Sequence, residues 1–241
     1  MADVTHEIWK KLFCGDLAVC PKKSGADRVL EVGTGTGIWA IEYAEKHEGA
    51  QVIGVDMSAV QPQWVPPNCS FEVDDAEEEW AWKSKFDFIF ARSMIRSKHD
   101  WECLQDDLFP VCSDDGTVDG SNLLKWATYI IEATKKMGQS VTVAPQFKQM
   151  MEDAGFKGVV EVQHKWPTNH WPRDERYKEV GRWSCVVASE GLEGLSLALF
   201  KVLGWTVPET LTFLPEVGKD LRNVRIHGYW RVYTVYGQKP A

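Results

Sequence analysis

The sequence lacks most of the features that would place a protein at a glance. It has no basic surplus: 27 Lys and Arg stand against 35 Asp and Glu, a net charge of −8, which argues against non-specific nucleic-acid binding. It has no apolar run long enough to span a bilayer; Leu195–Phe200 stops at Lys201. Its opening residues, Met1–Glu7, show neither the basic nor the apolar segment of a secretory leader. The expectation is an intracellular protein, cytoplasmic or nuclear, with no membrane or nucleic-acid partner. The six cysteines (14, 20, 69, 103, 112 and 185) include no C-x-x-C pair and no histidine at zinc-ligand spacing. Free thiols and no metal site are expected. Internal repeats and low-complexity segments are absent, and 241 residues suffice for one α/β domain with a substantial core but not for two. Tryptophan is what the chain has in quantity. Its 12 residues suit either core packing or a pocket for a large, flat or apolar small molecule.

Strand-like runs alternate with helical ones through the first half. Arg28–Val32, Gln51–Asp56, Ser70–Asp74 and Phe86–Ala91 read as strands, with helices at Thr5–Leu12 and Ile38–His47. This alternation implies a parallel sheet covered on both faces. The second half reads as more helical: 122–137, 146–154, material within 174–203, and 206–221 starting at a Thr cap. A strand at 159–162 and an aromatic-rich final strand at 226–236 complete it.

The most informative stretch is Glu31-Val32-Gly33-Thr34-Gly35-Thr36-Gly37-Ile38, a strand entering three alternating glycines and then a helix. Glycine permits positive φ and leaves no Cβ between backbone and ligand. The dinucleotide pattern G-x-G-x-x-G would need a third glycine at position 38, which is Ile. No Gly-Lys-Ser/Thr ending suits a nucleoside triphosphate either. A carboxylate two residues before the first glycine suits a positively charged ligand end better than a pyrophosphate. Asp56 closes the second strand, where an acid can accept from both ribose hydroxyls. Asp74-Asp75-Ala76 closes the third, where a carboxylate and a backbone N–H would meet an adenine edge. Each feature alone is weak, but three at consecutive strand ends form a strong signal.

On these residues the chain resembles class I S-adenosyl-L-methionine (SAM) dependent methyltransferases, and more narrowly the fungal LaeA-like group associated with secondary metabolism. The similarity runs through Val29–Ala40, Val52–Ser58, Gln61–Asn68, Phe86–Ile89, Ser113–Thr117, Lys165–Pro167, Gly181–Trp183 and Ala198–Phe200, with Trp64–Asn68 the most specific piece. The resemblance implies a Rossmann-like α/β sheet with helices on both faces. It implies a SAM-binding half over about 26–112 and a helical acceptor-side half over about 113–241. Glu31 with Gly33, Thr34, Gly35, Thr36 and Gly37 would cradle the methionine part, and Asp56 with the adjoining Met57 the ribose end. Asp74, Asp75 and Ala76 would take the adenine, and Arg92 would stand near the sulfonium and the acceptor.

One segment departs from that pattern. Between the fourth strand and the Ser113–Gly116 turn the chain is short and lacks a Lys-Pro-Gly-Gly turn. A parallel crossover needs a dozen or more residues, and Pro110 fits poorly in a central strand. The expectation is a fifth strand that is missing or a stub. Three origins fit: a deletion the fold tolerates, a mis-spliced product, or a protein turned to another use. The favoured function is methylation of a small fungal metabolite. The alternative is a non-methylating accessory or regulatory protein acting with a protein partner, and a dinucleotide oxidoreductase is a distant third. No catalytic residue is singled out. His99, His164 and His170 are weak candidates for a general base, as are Arg92 and Arg96 for binding an acidic acceptor. Trp126, Tyr129, Trp166 and Trp171 suit a pocket lining or the core equally.

Overall fold

A computed structural model describes residues 2–76, 78–92, 103–106, 111–138 and 141–239. The four early strands are β1 (Arg28–Val32), β2 (Gln51–Asp56), β3 (Cys69–Val73) and β4 (Phe88–Arg92). They lie parallel and side by side in the order β3-β2-β1-β4. Side chains alternate between faces along a strand. Val29, Val52, Phe88 and Phe90 therefore meet α2 (Ile38–Lys46), where Trp39 stacks on Phe90 with ring centroids 3.9 Å apart. Leu30, Val32, Ile53, Val55 and Ala91 meet Phe147 and Met151 of α4 (Phe147–Asp153) on the opposite face. Both faces are covered, as near-continuous apolar strands require.

The fifth strand is a stub. β5 (Cys103–Asp106) has four residues, pairs parallel with β4 at Ala91 and Arg92, and pairs antiparallel with the last strand, β8 (Tyr229–Gln238). A two-residue strand, β6 (Val111–Cys112), joins the same edge of β8 farther along. Between the pairs Asp106–Tyr233 and Val111–Trp230 this side of the ladder carries two residues more than β8 does. Pro110, the predicted obstacle, lies outside the described residues. The strand predicted at 159–162 extends over β7 (Lys157–Pro167), which zips along β8 from Gln238 to Tyr229. The last strand starts at Tyr229 rather than 226, because Ile226 closes a turn onto the Asn223 carbonyl.

The helices α3 (Asn122–Lys136), α5 (Glu175–Phe200) and α6 (Val207–Arg222) bury a common core of Leu123, Ile130, Leu199, Phe200, Leu214 and Leu221. The first helix, α1 (Ala2–Leu12), sets Ile8, Trp9 and Leu12, with Phe13 just after its end, against α5 and the β7–β8 ladder. No helix among the described residues is long and apolar enough to cross a membrane. Cys20 and Cys69 are buried free thiols, and burial pushes the Cys69 thiol up to about 11.

Helix α6 begins with a full capping box: the Thr206 hydroxyl accepts from the Glu209 N–H, and the Glu209 carboxylate accepts from the Thr206 N–H at 2.8 Å. Thr206→Ala is expected to lower unfolding stability by about 1 kcal/mol. Urea denaturation checks this: an unchanged midpoint would show that the box contributes nothing.

Candidate active site

The glycine loop leaves β1 at its carboxyl end. Gly33, Gly35 and Gly37 have φ of 68°, 55° and 80°, the left-handed region that disfavours side chains. The loop closes on itself through a Gly37 N–H to Thr34 carbonyl bond of 2.9 Å, and the Thr34 N–H anchors it to the Val55 carbonyl on β2. Above Gly35 a Cβ would meet nothing within 4 Å, so the backbone there is open to an approaching group. At Gly37 the space is filled from within the protein, since a Cβ would come 2.3 Å from the Phe71 ring.

Glu31 lies beneath this loop on the α2 face and is 3% exposed. Its Oε2 accepts from the Thr34 hydroxyl at 2.5 Å and from the Ala40 N–H at 3.1 Å. Burial raises its pKa to about 7; the Thr34 hydrogen bond and the Arg92 charge pull the other way without overcoming it. A carboxyl with a raised folded-state pKa binds more protons folded than unfolded, so stability falls as pH rises from about 4.5 towards 7. Glu31→Gln is therefore expected to flatten this slope and raise the ligand-free thermal midpoint above pH 7. Melting curves from pH 5 to 8 test it, and an unaltered slope would contradict the assignment.

Asp56 ends β2 next to the loop. Its Oδ2 accepts from the Gly35 N–H at 2.8 Å and its Oδ1 from the Ser58 N–H at 2.9 Å. Gln61 bonds the Gly35 carbonyl from the other side at 2.7 Å. Met57 is 73% exposed beside Asp56. Asp74 is tied to the same place by its backbone N–H on the Asp56 carbonyl at 3.2 Å, while its Oδ1 caps the Asp75 N–H. The Ala76 carbonyl accepts from the Trp80 indole at 2.9 Å. Strand order thus brings all the predicted positions, from the loop to Asp56–Met57, Asp74–Ala76 and Arg92, to the carboxyl ends of four adjacent strands.

Arg92 ends β4 on the same face as Glu31, and its guanidinium donates to Nδ1 of His6 at 3.2 Å from both terminal nitrogens. His6 is fully buried, and its Nε2 lies 2.7 Å from the Glu42 carboxylate of α2. Sequence reasoning passed over His6. The available signal was its place on the apolar stripe of a predicted helix, three and seven residues before Trp9 and Phe13. Burial lowers the His6 pKa more than the Glu42 hydrogen bond raises it. Burial raises the Glu42 pKa, but the bonds from His6, Lys46 and Lys10 override this and hold it near 2. His6, Glu7 and Glu42 present ligand atoms within 4.8 Å of one another. The Lys10 ammonium bridges the two carboxylates at 2.9 Å each, so both already have a cationic partner.

The other candidates fall elsewhere. Trp126 and Trp166 are core residues, their indoles donating to Ser196 and Ser184 at 2.8 Å. Tyr129 joins the Phe200–Trp205–Phe213 aromatic cluster. Trp171 stacks on His227, whose Nδ1 is 2.6 Å from Asp115. His164 packs on Phe13 with its Nε2 buried, and His170 is exposed. His99 and Arg96 lie outside the described residues.

Residues 4–162 match the family described as a methyltransferase domain. The chain is 35% identical to the probable methyltransferase tdiE of Emericella nidulans, over 98% of this chain and 80% of that one. It is 31% identical to methyltransferase pytC of Aspergillus terreus, over 99% and 79%. It is also 29% identical to the protein-methionine methyltransferase laeA of Emericella nidulans, over 99% and 69%. The tdiE alignment runs over 255 positions against 241 residues here, so that relative carries residues this chain lacks. The chain belongs to the methyltransferase-domain family.

Proposed function

We propose that the protein transfers the methyl group of SAM to a small-molecule acceptor in fungal secondary metabolism, within the cell. The observation that carries the reading is the open glycine loop, flanked at neighbouring strand ends by a buried carboxyl, a second carboxylate and a guanidinium. Such a mouth suits a zwitterionic, ribose-containing ligand. The similarity to the fungal methyltransferases tdiE and pytC, and to fungal secondary metabolism regulators of the laeA type, supports this setting.

In this reading the Gly33–Gly37 backbone lies against the methionine part, and Glu31 balances its ammonium. Asp56 accepts from the ribose hydroxyls while keeping Gly35 in place. Met57 borders the adenosine, and Asp74, Asp75 and Ala76 meet the adenine edge. Arg92 stands at the methionine end, next to the acceptor. When bound, SAM supplies an electrophilic methyl on a sulfonium sulfur. The chain's own contribution is to hold donor and acceptor in line and dry, the positioning that dominates such displacements. With its pKa raised to about 7 by burial, Glu31 is about half protonated at neutral pH in the ligand-free protein, Arg92 notwithstanding. Ligand ammonium is then expected to release that proton, detectable at pH 7 as a buffer-dependent binding enthalpy that vanishes in Glu31→Gln.

The function is tested with methyl-labelled SAM and fungal metabolite fractions. Label in a small-molecule product, with stoichiometric S-adenosylhomocysteine, is the expected result. Label in protein alone, or none from a protein that binds the cofactor, would contradict it.

A further inference from the structure

We infer that His6 is a positioning residue of the cofactor site, its unprotonated Nδ1 holding the Arg92 guanidinium at the methionine end beside Glu31. This rests on the proposed location of the SAM site. A guanidinium can only donate, so the His6 nitrogen that both terminal Arg92 nitrogens approach at 3.2 Å must accept. The other ring nitrogen faces the Glu42 carboxylate at 2.7 Å and must donate. The geometry therefore fixes one neutral tautomer. An imidazolium would turn an N–H towards the guanidinium.

The surroundings maintain that state. Arg92 faces the ring from β4 and Glu42 from α2, while Lys10 on His6's own helix and Lys46 on α2 both bond Glu42. The Glu42 charge is thus shared among three donors, and His6 is fully buried. Helix α1 also meets the glycine loop itself, where the Thr36 hydroxyl bonds Asp3 at 3.2 Å. Through His6 the first helix reaches a β4 side chain 86 residues away and sets its direction. Arg92 has a long, flexible stem, and fixing it in advance spares the ligand that ordering cost.

Asparagine and glutamine at position 6 separate the two contacts. The Asn amide reaches the place of Nδ1 and offers Arg92 an acceptor, whereas the Gln amide reaches the place of Nε2 and serves Glu42. S-adenosylhomocysteine binding by calorimetry is the readout, beside the ligand-free melting midpoint. His6→Gln is expected to lose about tenfold in affinity, the order of one hydrogen bond to a charged group. His6→Asn should stay within about threefold of wild type. In an Arg92→Ala background both substitutions should have no further effect on affinity. Wild-type affinity in His6→Gln, the reverse ranking of Asn and Gln, or full additivity with Arg92→Ala would each overturn the inference. Asp56→Ala serves as the site control. If it binds normally, the site itself is misplaced and the inference falls with it. If it binds poorly while His6→Gln binds normally, only the role of His6 is refuted.

Discussion

Asp56→Ala is expected to weaken binding of SAM and S-adenosylhomocysteine by about 100-fold or more, with little change in fold. The carboxylate closes β2 at the side of the glycine loop, and its two oxygens already hold the Gly35 and Ser58 N–H groups at 2.8 and 2.9 Å. In the proposed site it also accepts from the ribose hydroxyls. Its removal costs charge-assisted bonds to the ligand, each worth about 1.5–3 kcal/mol, and frees the loop backbone. Gly35→Val should reach a similar loss by another route. Its φ of 55° strains any side chain, and the side chain would occupy the open space above the loop. Calorimetric titration of both variants decides the matter. Wild-type affinity in either would contradict the site.

Gly181→Ala is expected to destabilise the protein by about 2–3 kcal/mol, although alanine favours a helix over glycine by about 1 kcal/mol. A Cβ at Gly181 would stand 1.9 Å from the Asn169 carbonyl oxygen, backbone that cannot swing aside. That loop is itself fixed, since Asn169 is fully buried and its side-chain amide bonds the Asn223 carbonyl. For a chain of this size the loss corresponds to a drop of roughly 4–12 °C in midpoint. Gly194→Ala, in the same helix α5, is the control. Nothing lies within 4 Å of its would-be Cβ, so alanine there should raise the midpoint slightly. Equal effects at the two glycines would mean that propensity, not close approach, governs both.

What could be read beforehand was what is local in sequence. The strands β1 to β4, the three positive-φ glycines and the acids at the next two strand ends follow from short runs of residues taken by themselves, whatever their neighbours in the sheet; β1 and β4 pair although 59 positions apart. The stub at β5 was readable as a shortage of residues, but its pairing with β8 was not. Leu104 meets Val235, and no local pattern encodes a partner 131 positions away. For the same reason the fold joins Arg92 to His6 without a warning in either segment. The tryptophans were ambiguous because an indole satisfies a core and a pocket with the same ring. Their burial, together with the serines at 196 and 184 opposite Trp126 and Trp166, assigns those two to the core. Gly181 was legible as a glycine in a helix but not as a contact with Asn169.

The most direct test of the cofactor site is a thermal-shift titration of the purified protein with S-adenosylhomocysteine, SAM and NAD. At ligand concentrations about 100 times the dissociation constant, binding adds about 2.7 kcal/mol of stability, or roughly 5–10 °C for a protein of this length. A rise with the two adenosyl ligands and none with NAD is the expected result. No rise with either adenosyl ligand on folded protein, or a rise with NAD alone, would contradict a SAM site at the glycine loop.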